Sequence, residues 1–440
     1  MFFIYSLLYT LAFIVLSPLL LLRRDKYAVG LSERFGNYPE FNRNGRPVIW
    51  LHCVSVGEAN AARPLVDRLL EAFPDHRLIF STTTRTGQEL ARRIFKDKAA
   101  AVFYFPFDWK FSIRRALKHF QPSVVLMMET EIWPRFFREV HLSGSKLAIV
   151  NGRLSETSFQ RYSYIKRFVQ KVLGFVDLAL MQGDGDTERL ASLGFDRDRM
   201  TTTGNLKFDL AFDESEGAFS ENFRSRFGID GERPLIVAAS THEPEEELIL
   251  GAFVFLSLAH PAIRPRLIIA PRHPERFEAV AEIIDSSAHK EQNSYDRRFA
   301  RRSARGSEDD KFANVILLDS IGELRSVLAL ADVVFVGGSL IRHGGQSVLE
   351  PAVAGKAILT GPYTHNFEAV ICEFTASNAL IQLQEDQLET LEEQLHDRLF
   401  DLLTDPDERA RLGAAAAGVM TANRGSTEIT INELTSLIGD

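Results

Sequence analysis

The sequence predicts an α/β protein built from two doubly wound parallel sheets, preceded by an apolar anchor. Three observations carry that expectation. Short apolar runs alternate with helical patterns, lose that alternation near 203–230, and then resume it. The chain has 440 residues, more than one core ordinarily takes, so two domains are expected. Polar residues recur just past the ends of the apolar runs, where open parallel sheets bind their ligands.

Composition narrows the class. Hydrophobic residues at 45% and charged residues at 25% are ordinary for a globular chain. A net charge of −8 argues against a nucleic-acid partner, which calls for a basic excess. Two cysteines, Cys53 and Cys372, supply neither a disulfide framework nor a thiolate zinc site, and suit a reducing compartment.

The first element, 2–22, has no charged residue, is about long enough to span a bilayer, and is followed by Arg23, Arg24 and Lys26. A secretory signal would place its basic residues first and a small-residue cleavage site after, and neither is present. The positive-inside rule keeps the bulk of the chain cytoplasmic behind a single N-terminal anchor. Pro18 leaves open a helix lying in the interface instead of crossing.

A polar stretch, 27–46, holds Glu33 and Arg34. Strands are then expected at 48–52, 78–81, 101–104, 124–128, 147–150 and 178–181, with helices at 59–72 and 86–95. Ser55, Glu58, Thr83, Glu129 and Asn151 fall just beyond strand ends. The stretch 203–230 reads as a link. The second half repeats the pattern, with strands at 235–239, 267–270, 315–318, 331–336 and 357–360, and 295–311 as a polar surface loop. A dinucleotide-dependent dehydrogenase is disfavoured: the nearest glycine pattern, Gly183 and Gly185, has no third glycine at the required spacing.

The segment 335–356 stands out. A buried strand breaks at Gly337-Gly338, a second pair follows at Gly344-Gly345, and a helix is expected from Ser347. Free amides and a helix N-terminus make such a segment an anion or nucleotide site, with Glu350 placed to accept from ribose hydroxyls. Ser347-x-x-Glu350 equally matches a purely structural capping box.

These motifs together resemble the 3-deoxy-D-manno-octulosonic acid (Kdo) transferase family across nearly the whole chain. They are 55–58 (SVGE), 128–134 (METEIWP), 151–155 (NGRLS), 204–209 (GNLKFD), 240–243 (STHE), 271–276 (PRHPER), Gly337-Gly338-Ser339, and 344–351 (GGQSVLEP). Ser347-Val348 stands where the family usually has Asn-Pro; serine caps a helix as well as asparagine, and N1 does not require proline.

The resemblance implies a GT-B glycosyltransferase, two Rossmann-like domains facing a central cleft. Its domains would be 1–24 as anchor, 25–210 for the acceptor, 211–230 as linker, 231–405 for the CMP-sugar donor, and 406–440 as helices crossing back to the N-terminal domain. The implied reaction is inverting transfer of Kdo from CMP-Kdo to lipid A precursor at the cytoplasmic face of the inner membrane, in lipopolysaccharide core biosynthesis. Glu58 is implied as general base, with Glu129 and Lys207 stabilising the transition state and Glu131 and Glu33 as further carboxylates. For CMP the resemblance implies Pro271, Arg272, Gly322, Glu323, Leu324, Ser347, Val348, Leu349 and Glu350. The donor carries its own carboxylate and one phosphate, so no metal and no other cofactor are expected. Arg23, Arg24, Lys26 and Arg34 could meet lipid phosphates or form a solvated collar. The alternatives are another GT-B nucleotide-sugar enzyme, an epimerase or transferase, and a catalytically inactive membrane-tethered nucleotide-sugar binding protein.

Overall fold

The computed structural model describes residues 1–22, 29–209, 215–290, 299–384 and 388–439. The chain divides into two compact units, 1–209 with 423–440, and 210–422. Arg23, Arg24 and Lys26 lie outside the described residues.

Unit 1 holds seven parallel strands: β1 (Val48–Cys53), β2 (Arg77–Thr82), β3 (Ala101–Tyr104), β4 (Val124–Met128), β5 (Lys146–Gly152), β6 (Leu178–Met181) and β7 (Met200–Thr202). Their order is β3-β2-β1-β4-β5-β6-β7. Residue parity shows that helices cover both faces. Val48, Trp50, Val125, Met127, Leu147 and Ile149 enter one core, while Ile49, Leu51, Val124, Leu126, Met128, Ala148 and Val150 enter the other. The chain order reverses direction between β1 and β4, so the crevice beyond their carboxyl ends is the natural ligand position of this sheet.

Unit 2 repeats the plan with β8 (Leu235–Thr241), β9 (Arg266–Pro271), β10 (Phe299–Arg301), β11 (Val315–Leu317), β12 (Val333–Val336), β13 (Ala357–Thr360) and β14 (Ile381–Gln382). These are ordered β10-β11-β9-β8-β12-β13-β14 and all parallel, with the reversal between β8 and β12.

Several expectations are corrected. The helix expected over 59–72 is two helices, Val56–Ala61 and Arg63–Ala72, because Pro64 lacks the N–H that would continue the first. The expected loop 295–311 contains edge strand β10, so Arg301 is anchored to a sheet. The expected link contains the helix Ser215–Phe227, whose Phe223 and Phe227 are buried. Phe219, Phe223 and Phe227 recur every four residues, a helical stripe that the polar composition concealed. Of the last helices, Pro406–Ala422 packs on β13, where Gly413 approaches Gly355 so closely that a Cβ would meet its carbonyl at 2.1 Å. Only Ser426–Ile438 belongs to unit 1, capped by Asp209, which accepts the amides of Gly425 (2.7 Å) and Thr427 (2.5 Å).

The N-terminal helix, Phe2–Leu22, docks on unit 1 by one stripe. Tyr5 donates to Asp108 (2.7 Å), Arg135 donates to the Phe2 carbonyl (3.1 Å) and Ser6 Oγ (2.8 Å), and Trp109 donates to Thr10 (2.9 Å). Phe13 sits edge-on to Trp109 at 4.8 Å. Phe3, Ile4, Leu7, Leu8, Leu11, Ile14, Val15 and Leu16 form the opposite, exposed stripe. Among the described residues no helix is long and apolar enough to cross a membrane.

Candidate functional site

The crevice between β1 and β4 gathers the carboxylates singled out in the first half. Glu58 lies in the first turn of the helix Val56–Ala61, behind its N-cap Ser55. One carboxylate oxygen accepts the Val54 amide (2.8 Å) and the other accepts Ser55 Oγ (3.0 Å). The side chain therefore completes a helix start and is also held in one orientation at the switch point. Only 7% of the residue is exposed. Burial, and then the nearby Glu129 carboxylate, push its pKa up to about 7.

Glu129 directly follows β4 with φ 55°, a left-handed conformation that a non-glycine residue rarely adopts. Lys207 Nζ lies 3.4 Å from its Oε1, and both side chains are about a quarter exposed. Asn151 decides where Lys207 stands. Fully buried at the end of β5, with φ 54°, it accepts the Leu206 amide on Oδ1 at 3.0 Å. That bond fixes the short turn Leu206–Asp209, which carries the lysine. Glu131 is also raised, by burial first and then by Glu129. The result is three neighbouring carboxylates and one ammonium, with one carboxylate buried enough to hold or release a proton near neutrality.

Glu33 and Arg34 do not join this group. Glu33 accepts the Tyr104 amide (2.7 Å) and pairs with Arg92 (3.6 Å). Arg34 donates to the carbonyls of Val29 and Thr83 and lies over the Tyr104 ring at 4.6 Å. Its Nε and Nη2 thus have carbonyl partners in a partly buried setting, which holds the side chain in packing against Tyr104.

In unit 2 the glycine segment also lies at the switch point, but with an unexpected occupant. The amides of Gly338, Ser339 and Leu340, expected to be free for an anion, all donate to the buried Glu245 carboxylate. The anion of this nest is part of the chain. The second glycine pair is tied to the first by the Gly345 amide on the Gly338 carbonyl (2.7 Å). The following helix is only Leu349–Val353, and its N-cap is Val348 with no side-chain cap bond. Ser347 Oγ accepts the Leu349 amide at 3.3 Å, so the Ser347–Glu350 capping box does not form as expected. Val348 and Leu349 are buried and can offer a ligand only backbone groups; Ser347 and Glu350 are half-buried.

The other donor-side residues divide similarly. Pro271 ends β9, and Arg272 is exposed just past it, its amide continuing the β8 ladder through the Thr241 carbonyl (3.0 Å). Gly322 adopts φ 90°. Glu323 is engaged by Arg302 at 3.1 Å and by Ser320, and Leu324 begins a five-residue helix too short for a strong dipole. Arg301, which ends β10, and Arg302 just past it both reach the 319–323 turn, where Arg301 pairs with Asp319 at 2.8 Å. His273 stands edge-on to His242 and His343 is tilted against it, with ring centroids 5.4 and 4.1 Å from His242. Burial, then the neighbouring histidines, lower the His242 pKa to about 4, so it is neutral.

Residues 29–210 match the family model described as 3-Deoxy-D-manno-octulosonic-acid transferase (kdotransferase). A 3-deoxy-D-manno-octulosonic acid transferase of Haemophilus influenzae is 33% identical over 429 residues, covering 96% of each chain. The chain belongs to the Kdo transferase family. Its Bordetella pertussis relative of the same name is 32% identical, covering 98% of this chain and 99% of the relative. The protein is thus a glycosyltransferase of lipopolysaccharide biosynthesis. Among solved structures, UDP-GlcNAc 2-epimerase from Neisseria meningitidis superimposes with TM-score 0.56 at 12% identity, covering 89% of this chain and all of that one; this is a likeness of fold alone. Within the Kdo transferase, Glu58, Glu129 and Lys207 all fall inside the family-matched stretch. Glu245 escaped sequence reasoning. The available signal was positional: it follows the first strand of its sheet much as Glu58 follows β1.

Proposed function

We propose that this Kdo transferase moves Kdo from CMP-Kdo to a lipid A precursor with inversion, using Glu58 as general base. The observation that carries the assignment of the base is Glu58 itself, a buried carboxylate at the switch point of unit 1 with its pKa near neutrality. In the step, the acceptor hydroxyl oxygen bonds to the anomeric carbon as the bond from that carbon to the CMP phosphate oxygen breaks. The hydroxyl proton passes to Glu58, and CMP leaves as the anion. Positive charge developing at the sugar is met by Glu129, and Lys207 holds that carboxylate and offers a cation to the donor.

The donor is taken by unit 2. Arg272 supplies a forked phosphate contact, with backbone groups of Gly322, Glu323 and Leu324 beside it and Ser347 to Glu350 at the ribose. Exposure of Arg272 beyond β9 supports its part in this reading. No metal is required in this reading, since Arg272 can serve the donor's single phosphate.

The protein works at the cytoplasmic face of the inner membrane, attached through its N-terminal helix. The helix lies along the membrane surface: polar bonds from Tyr5, Ser6 and Thr10 tie one stripe lengthwise to unit 1, and eight exposed apolar residues face away.

The test is transfer from CMP-Kdo, generated in situ, to tetra-acylated lipid A precursor in membranes containing the protein, with products weighed by mass spectrometry. Lipid gaining Kdo mass, with chelator present and not with Glu58→Ala, is expected. Absence of transfer by folded protein that binds CMP would overturn the acceptor assignment, and loss with chelator alone would overturn the metal-free reading.

A further inference from the structure

Glu245 begins the helix Glu245–Ala259 behind β8 and is fully buried. Its carboxylate accepts four backbone amides. Oε2 takes His242 (2.9 Å) and Gly338 (2.6 Å), and Oε1 takes Ser339 (2.8 Å) and Leu340 (2.9 Å). The glycine turn is pressed against it. A Cβ on Gly337 would stand 2.9 Å from Glu245 Oε2 and 2.7 Å from Thr241 Cα. The bonding continues outward: the Gly338 carbonyl accepts Gly345, the Ser339 carbonyl accepts Tyr363 (3.0 Å), and Ser339 Oγ accepts Gly361 (2.8 Å). Ser347 lies two residues beyond Gly345. Ser240, just before this group, has φ 56°, so the end of β8 is itself held in an uncommon conformation.

We infer that Glu245 is a positioning residue for donor binding, an internal anion whose four amide bonds orient the 337–340 turn and, through Gly338 and Gly345, set the 344–350 segment. The inference rests on the reading that unit 2 takes the CMP donor. The chemistry requires a carboxylate. Four converging N–H groups call for two acceptor oxygens, and an amide side chain offers one oxygen while turning its own N–H₂ against two of the donors. Glu246 provides a contrast at the next position. It is equally buried but faces Thr241 Oγ1 and Arg276, both at 3.2 Å, where Glu245 takes the amides of the glycine turn.

The experiment compares wild type, Glu245→Gln, Glu246→Gln and Gly337→Ala, each verified as folded by circular dichroism. CMP binding is measured by calorimetry, KM for CMP-Kdo and for acceptor are measured separately, and amide hydrogen exchange is followed over 337–346. Glu245→Gln and Gly337→Ala should each weaken CMP binding and raise the donor KM by about tenfold or more, with the acceptor KM unchanged. Glu245→Gln should also lose protection at 338–340, and Glu246→Gln should match wild type in CMP binding. Wild-type CMP affinity in folded Glu245→Gln overturns the inference, as does wild-type affinity in Gly337→Ala if the first variant does not fold. If wild type itself binds no CMP, the donor reading fails first. Exchange then decides separately whether Glu245 orders the turn: unchanged protection removes it from that role.

Discussion

Replacing Glu58 with glutamine should cut transfer steeply and, at alkaline pH, make the protein more stable. A carboxyl whose pKa is raised on folding binds its proton more tightly in the folded chain. Its contribution to stability is complete below the unfolded value of 4.5 and is lost as pH rises through about 7. Relative to a group that stays protonated in both states, the shift costs roughly 3 kcal/mol at pH 8, where the folded side chain is ionised, and about 1 kcal/mol at pH 5, where largely the unfolded one is. Glutamine has no such cost. It can still bond to Val54 and Ser55, whose bonds to the carboxylate are already part of what sets its pKa near 7. The variant should therefore gain roughly 3 kcal/mol at pH 8 and about 1 kcal/mol at pH 5. Urea unfolding at the two pH values, followed by tryptophan fluorescence, reads the difference. Transfer should fall by about a hundredfold to ten-thousandfold, the usual contribution of a positioned base. An effect on stability that is equal at both pH values would refute the raised pKa. Full transfer activity in the variant would remove Glu58 as base and move attention to Glu129.

Two further outcomes test neighbouring parts. Asn151→Ala removes the acceptor of the Leu206 amide and places alanine at φ 54°, so about 2–3 kcal/mol of stability should be lost. Transfer should fall with it because Lys207 is no longer fixed; denaturant titration beside a rate assay checks both, and loss of stability at an unchanged rate would exclude the positioning role. Leu8→Asp combined with Leu11→Asp alters residues 59% and 56% exposed, and should leave the unfolding temperature unchanged while abolishing flotation with phospholipid vesicles. Retained flotation would mean that the exposed stripe is not the attachment surface.

The strands that position the site were legible because parallel strands covered on both faces read as continuous apolar runs. The run 124–128 matches β4 residue for residue, and 178–181 matches β6. Edge strands were not legible. β10 and β14, with three and two residues, carry too little apolar sequence to stand out, and Arg301 belongs to β10 because it pairs beside β11. The carboxylates and Lys207 were legible as motif residues placed beyond strand ends, but their electrostatics were not. Glu58 is raised by a burial and a neighbour, Glu129, that lies seventy-one residues away along the chain.

The sequence by itself determined the two α/β halves, the family, and the residue types that can carry glycosyl transfer. Each is written locally, in runs of apolar residues and in motifs a few residues long. Tertiary structure alone decided which groups have partners. It turned the amides of 338–340 inward onto Glu245, ninety-three residues or more away, and withdrew Arg34 into packing against Tyr104. It also divided the N-terminal helix into a docked stripe and an exposed one. The physical reason is the same throughout. Local composition states what a group can bond to, and only the folded chain brings a distant donor or acceptor within about 3 Å of it.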